Sequence, residues 1–284
     1  NCKVFIPEGA AYMVLSHNPQ NYAATRMAAD KIPDGATLTT AKRYVDQVAD
    51  IDEDQYAEIW EAARIYNQAL LQRENRFALT PEQIEQYEQL LDVGGTGVMG
   101  YVEIPFIGVT LPIYHGTDDA TLEKGVGHLL GSSLPVGGES THSVLTAHSG
   151  MASQKMFSDL DRLKKGDIFF LDVLGEKLAY QVDQIKTVLP YDTTFLQTEI
   201  GNDLCTLVTC TPFGVNTHRL LVRGTRIEYE EAEVIVEEKL ETEEPVKSTW
   251  EQQYLQGILI GIGAVVILGL GLLVFWFVRR RRRG

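Results

Sequence analysis

The chain has 284 residues, 39 acidic against 25 basic side chains, and a formal net charge of −14. Such an acidic chain excludes a general nucleic-acid binder, and no basic aromatic patch precedes its extreme C-terminus. Its three cysteines, Cys2, Cys205 and Cys210, are too few, and odd in number, for a disulfide framework, so a free thiol is expected.

The first elements are helical. From about Thr37 to Gln72 the residues Tyr44, Val48, Ile51, Ile59, Ala63, Tyr66 and Leu70 recur three and four apart among acidic residues, which predicts an amphipathic helix or a broken pair. Thr80-Pro81-Glu82-Gln83 supplies an N-cap, a proline at the first helical position and a glutamine at the third, opening a second helix to about Leu91. Residues 1–92 are therefore read as an N-terminal helical region. The chain begins at Asn1 without a signal-like apolar run, so a cleaved or longer N-terminus is expected if the body is exported.

From Gly94 onward the pattern changes to short β-rich runs at 98–104, 107–114, 142–148, 167–174, 177–189, 204–210 and 218–227, broken by Gly and Pro. Strands at this spacing predict a closed β-barrel or a sandwich over residues 93–228. Ser153–Leu163 and Thr193–Ile200 read as short helical or turn insertions.

The last two runs, joined by Pro-Phe-Gly-Val-Asn, read as an antiparallel hairpin with Cys210 ending one strand and Arg219 beginning the next. Period-two alternation puts Arg219, Leu221 and Arg223 on one face, and Cys205 on the opposite side of its strand from Cys210. Cys210 is expected at an exposed strand end beside a fixed cation, which favours the nucleophilic thiolate; Cys205 is expected to be a small buried apolar residue.

Residues 229–255 are dominated by Glu and read as a solvated, extended stalk. The apolar run GILIGIGAVVILGLGLLVFWFV places a transmembrane helix at 256–278, about 33 Å long and enough to span a bilayer. Arg279–Arg283 then lie in a cytoplasmic tail, 279–284, with the body of the chain outside and Trp250 and Trp276 near the membrane edges.

Acyl transfer by a thiol also needs a proton carrier, for which His17, His115, His128, His142, His148 and His218 compete. His148 ends the apolar run SVLTAH just before Ser149-Gly150, so it projects from a strand end into a loop. His142 and His148, six residues apart without a third ligand, make a weak metal signal. GVGHLLG and GGTGVMG lack the lysine or strand-to-helix context of a phosphate loop, so no cofactor and no metal is expected.

TLVTC followed by Arg219 resembles the active-site strand pair of sortases, bacterial cysteine transpeptidases that act on sorting signals at the cell surface. CTPFGVNTHRLLVRGTR, GYVEIPFIGVTLPIYHGT at 100–117 and GVGHLLGSSLPVGGESTHSVLTAHSG at 125–150 resemble the class C, pilin-polymerising branch in particular. The resemblance implies a mainly-β, eight-stranded sortase barrel with Cys210, His148 and Arg219 as catalytic residues, and it makes His128 and Thr209 candidates for secondary positions at the cleft. Many relatives have Arg where this chain has Ser149. Class C sortases often carry an Asp-Pro-aromatic lid between their helices; the nearest match here, in the candidate lid at 73–79, is Asn75-Arg76-Phe77. Phe77 has the chemistry to cap Cys210, whereas Asn75 lacks the carboxylate to pair with Arg219.

The reaction implied is attack by Cys210 on the Thr-Gly carbonyl of an LPxTG-like sorting signal, protonation of the glycine amine by His148, and transfer of the acyl group to a pilin lysine. The partners implied are pilin or surface-protein substrates, an acceptor lysine or peptidoglycan precursor, and the bilayer of a single-pass membrane protein facing outward. Anchoring to peptidoglycan, hydrolysis by a thiol protease and an inactive membrane-tethered scaffold remain open alternatives.

Overall fold

The runs after Gly94 carry more apolar side chains than one face of a sheet can hide. The strand Thr141–Thr146 is buried along its whole length and Asp203–Thr211 everywhere but its ends, so both faces need cover. Closing the sheet covers one face and removes its edges. A computed structural model describes residues 44, 47–149, 155–242, 258–263, 265, 267, 269 and 271. Its strands are β1 (Val98–Ile104), β2 (Val109–His115), β3 (Val126–His128), β4 (Thr141–Thr146), β5 (Ile168–Val173), β6 (Glu176–Val188), β7 (Asp203–Thr211) and β8 (His218–Ile227). They form a closed barrel in the order β1-β2-β3-β4-β7-β8-β6-β5. The pairs β2/β3 and β4/β7 are parallel and the others antiparallel. Seven strands coincide with predicted runs to within a few residues, and β3 is the unpredicted one.

One core cluster includes Val102, Ile113, Leu145, Phe169, Tyr180, Cys205, Leu207 and Val222. Phe169 stacks on Tyr180 with ring centroids 5.5 Å apart. A Cβ at Gly224 would stand 2.7 Å from the Phe169 ring, so this stack requires a glycine on β8.

Two helices precede the barrel. α1 (Glu53–Leu71) is capped by Asp52, whose side chain accepts from Gln55 N at 2.8 Å. α2 (Pro81–Gln89) starts with the predicted capping box, Thr80 and Gln83 each bonding the other's backbone N–H. Ala63 of α1 and Tyr87 of α2 join the main core cluster. Buried Asn67 exchanges two hydrogen bonds with the Leu134 backbone, at 3.1 and 2.7 Å, which fixes α1 against the loop between β3 and β4. A short helix, α3 (Asp119–Leu122), lies between β2 and β3.

The segment expected to be an extended stalk instead opens with helix α4 (Tyr229–Thr242). Tyr229, Ala232, Ile235 and Val236 recur at helical spacing among the glutamates, and this stripe packs on Ile168, Phe170 and Ala179 of the barrel. Lys239 in the last turn pairs with buried Asp167. Residues 243–255 lie outside those described.

Contacts divide the chain into a unit ending at Pro245 and another from Val246. In the second unit the described residues between 258 and 271 are helical. Among the described residues no helix is long and apolar enough to cross a membrane. The expected span at 256–278 lies largely outside them, as do Cys2, His17, Trp250, Trp276 and the arginine tail.

Candidate active site

Antiparallel pairing of β7 and β8 sets Cys210 directly opposite Arg219. Their face of the hairpin points away from the main core. Leu207 and Val222 belong to the interior cluster, whereas the next pair along, Val208 and Leu221, belongs to a second cluster with Leu129, Val144, Val188 and Leu196. Cys205 lies inside with the interior set, fully buried, and burial pushes its thiol well above the ordinary cysteine range. The Cys205 thiol is thereby held in its inert, protonated form.

Parallel pairing of β4 and β7 ends at Thr146 opposite Val208. Two residues further along this register, His148 falls beside Cys210. The extension is fastened by hydrogen bonds. Ala147 N donates to Val208 O at 3.1 Å, the Thr209 hydroxyl to Ala147 O at 2.8 Å, and the Ser149 hydroxyl to Cys210 O at 2.8 Å. His148 is half-buried, and its carbonyl accepts from Phe157 N at 3.0 Å.

Cys210 is not at an exposed strand end; it is only 6 % exposed and packs with Leu122 of α3. The cover comes from a helix distant in sequence, which strand-end reasoning does not see. Arg219 is 1 % exposed, and its Nη1 donates to the carbonyls of Asn216 at 3.2 Å and His218 at 3.0 Å. The guanidinium thus folds back on its own turn.

Two positions expected near the cleft are buried. His128 is fully buried under α2; its Nδ1 lies 2.8 Å from the Tyr87 hydroxyl and its Nε2 2.8 Å from Ser133 O. With both nitrogens engaged and burial lowering its pKa to about 4, it braces α2 against β3 rather than facing a cleft. Thr209 is also buried, its hydroxyl bonded to Ala147 O. His142 and His115 likewise use both ring nitrogens, His142 on Gln197 O and the Thr206 hydroxyl, His115 on Gly97 O and Leu90 O. His218 bonds the neighbouring Thr217 hydroxyl at 2.9 Å. Among the described histidines His148 is the one that the register carries to the thiol. Among the described residues no group of three His, Cys, Asp or Glu side chains is placed to hold a metal ion.

A sortase domain pattern matches residues 102–227. Sortase D of Bacillus subtilis is 34 % identical over 131 residues, covering 45 % of this chain and 63 % of that protein. Sortase A of Streptococcus agalactiae is 29 % identical, covering 40 % of this chain and 47 % of its own length, so the match spans less than two thirds of these curated relatives. The crystal structure of sortase C1 from Streptococcus agalactiae is 47 % identical with a TM-score of 0.65, covering 67 % of this chain and 98 % of that one. The chain belongs to the sortase family. Sortase C of Streptococcus pneumoniae, a structure described in terms of catalysis and pilin substrate specificity, is 46 % identical with a TM-score of 0.61, covering 67 % of this chain and 97 % of its own. Sortases are cysteine transpeptidases, and these two solved relatives are C-class sortases.

The candidate lid of this sortase packs against the outer cluster of Val208 and Leu221 through Phe77. Arg76 is buried beneath it, donating to Leu196 O and the Thr198 hydroxyl and lying 4.8 Å from the Phe77 ring centroid. Burial lowers its pKa to about 10, which leaves it charged at neutral pH. The segment passes so close to Gly131, at φ 87°, that a Cβ there would stand 2.3 Å from Arg76 O. Asn75 caps the turn, its Oδ1 accepting from Phe77 N at 3.3 Å. Leu122 is the site's unpredicted neighbour; Ser149, Arg76 and Asn216 stood inside the quoted motifs, with no contact assigned to them there.

Proposed function

We propose that this sortase cleaves an LPxTG-like sorting signal between Thr and Gly and transfers the acyl group to a lysine amine of a pilin subunit. The observation that carries the reading is the pairing of Cys210 with Arg219, with His148 continuing the register on the other side of the thiol. The Cys210 sulfur attacks the threonine carbonyl carbon, and the carbonyl oxygen takes up negative charge that Arg219 meets with a guanidinium fork. The carbon–nitrogen bond breaks as His148 gives its proton to the leaving glycine amine, which yields a thioacyl-enzyme. A lysine amine then attacks the thioester, gives its proton back to His148 and releases the thiolate.

The pilin acceptor is supported by the C-class relatives, one of them described for pilin substrate specificity. A single-pass membrane anchor at 256–278 rests on the apolar sequence and the arginines behind it. It would confine enzyme and membrane-held substrates to one thin layer, where encounter needs no three-dimensional search. Phe77 and the 73–79 segment serve as a cover for the outer face of the hairpin.

The test is mass spectrometry of the protein incubated with an LPxTG peptide and then with a lysine-bearing pilin fragment. The expected result is a thioacyl adduct on Cys210 that moves to a lysine. An adduct that passes only to an amino-glycine acceptor or to water shifts the assignment to wall anchoring or proteolysis, and no adduct rejects the transpeptidase reading.

A further inference from the structure

The turn that joins Cys210 to Arg219 holds two polar atoms with nothing to bond. Asn216 Oδ1 and Arg219 Nε are both buried and neither has a hydrogen-bond partner. A buried donor or acceptor left unpaired is a net cost to folding, and folded chains keep few of them. Other groups of the two residues are tied. Asn216 N donates to Pro212 O at 2.9 Å, and Asn216 O accepts from Arg219 Nη1 at 3.2 Å. Asn216 is 4 % exposed and sits at φ 61°, in the left-handed region. Asparagine is at home in that conformation, which accounts for the backbone of Asn216 but not for a buried Oδ1 left without a partner. The same turn throws Phe213 and Val215 into solvent, 45 % and 64 % exposed, so its tip is held by little packing.

The two unpaired atoms are opposite in kind, an N–H donor and a carbonyl acceptor. In an extended chain the N–H and C=O of one residue point to the same side, which is how a strand residue exchanges two bonds with its partner. We propose that Asn216 and Arg219 bind one extended residue of the donor peptide in this manner. Arg219 Nε donates to the carbonyl oxygen that Cys210 attacks, and Asn216 Oδ1 accepts the backbone N–H of that same residue. Asn216 is then a substrate-positioning residue, and the ligand class is an extended peptide backbone read without regard to its side chain. The turn shifts to admit the peptide, since both atoms are covered in its absence. This rests on the transpeptidase reading and adds to it a second fixed point for the scissile residue.

Asn216→Gly deletes the amide and keeps the left-handed backbone. The experiment follows Cys210 thioacylation by mass spectrometry in wild type and Asn216→Gly. Each is given the LPxTG peptide and its analogue in which an ester oxygen replaces the backbone N–H of the threonine. In wild type the ester analogue acylates about ten-fold more slowly, the worth of one hydrogen bond in a buried site. In Asn216→Gly the ordinary peptide is slowed by a similar factor and the ester analogue no further, with the melting temperature not lowered. Equal ester penalties in the two enzymes, or wild-type rates in Asn216→Gly, overturn the proposal. A lowered melting temperature with equal ester penalties assigns Asn216 a structural role and overturns it as well. If wild type forms no adduct with the ordinary peptide, the transpeptidase reading itself fails, an outcome distinct from these.

Discussion

The Ser149 hydroxyl donates to the carbonyl oxygen of Cys210 at 2.8 Å, so the residue after His148 holds the backbone of the thiol that His148 is proposed to serve. The bond is buried and crosses from the end of β4 to β7. Ser149→Ala removes it without touching either reacting group. Because small misplacements in such a pair are costly, kcat for acylation is expected to fall about ten-fold with KM nearly unchanged. Ser149→Thr, which keeps the hydroxyl, restores most of the rate. Peptide turnover measured across substrate concentration checks this, and a pure KM effect would assign Ser149 to substrate binding instead.

Arg219 is buried opposite Cys210 and supplies charged donors in a fixed plane. Arg219→Lys keeps the charge and loses the fork. Loss of an oxyanion donor typically costs on the order of 10²–10³ in rate, so quenched acylation assays should show a fall of that size. A loss below about three-fold would show that the planar fork is not needed and that a single charged donor serves the oxyanion.

The hairpin was legible because alternation and turn residues act locally. Period two assigned Arg219 and Leu221 to one face and Leu220 and Val222 to the other, and the two clusters divide in that way. β3 escaped notice because three residues in a Gly-containing run carry no period, and its parallel pairing with β2 is set by distant chain. α4 was misread because its glutamates outnumber the apolar stripe of Tyr229, Ala232, Ile235 and Val236, which is decisive only once Ile168 and Phe170 are there to receive it. The burial of Cys210 under Leu122 and of His128 under Tyr87 are likewise tertiary facts. No neighbour in sequence foretells them.

Arg76 anchors the 73–79 segment through Leu196 O and Thr198. Arg76→Ala cuts both ties and leaves Phe77 with its packing on the outer cluster and the local turn bond to Asn75. If the segment shields the thiol, alkylation of Cys210 by iodoacetamide should speed up by about ten-fold, as charged hydrogen bonds are worth enough to change local opening by that factor. An unchanged alkylation rate with a lowered melting temperature would show that the segment is a plain interhelical connection.

Two buried histidines make the fold sensitive to acid. Burial lowers His128 and His142 to about 4, His128 with His115 nearby and His142 facing Arg76, Arg223 and Glu199. In the unfolded chain a histidine takes up its proton near pH 6.5, whereas these two remain neutral in the fold until about 4. Between those values the unfolded state binds more protons, so stability is complete above about pH 6.5 and is lost as pH falls toward 4. The loss is on the order of 2–3 kcal/mol per histidine over that window. Urea unfolding between about pH 7 and about pH 5 should show the slope, and His142→Gln, which cannot titrate, should flatten it by about half. A slope unchanged by His142→Gln would mean that other groups carry the acid sensitivity.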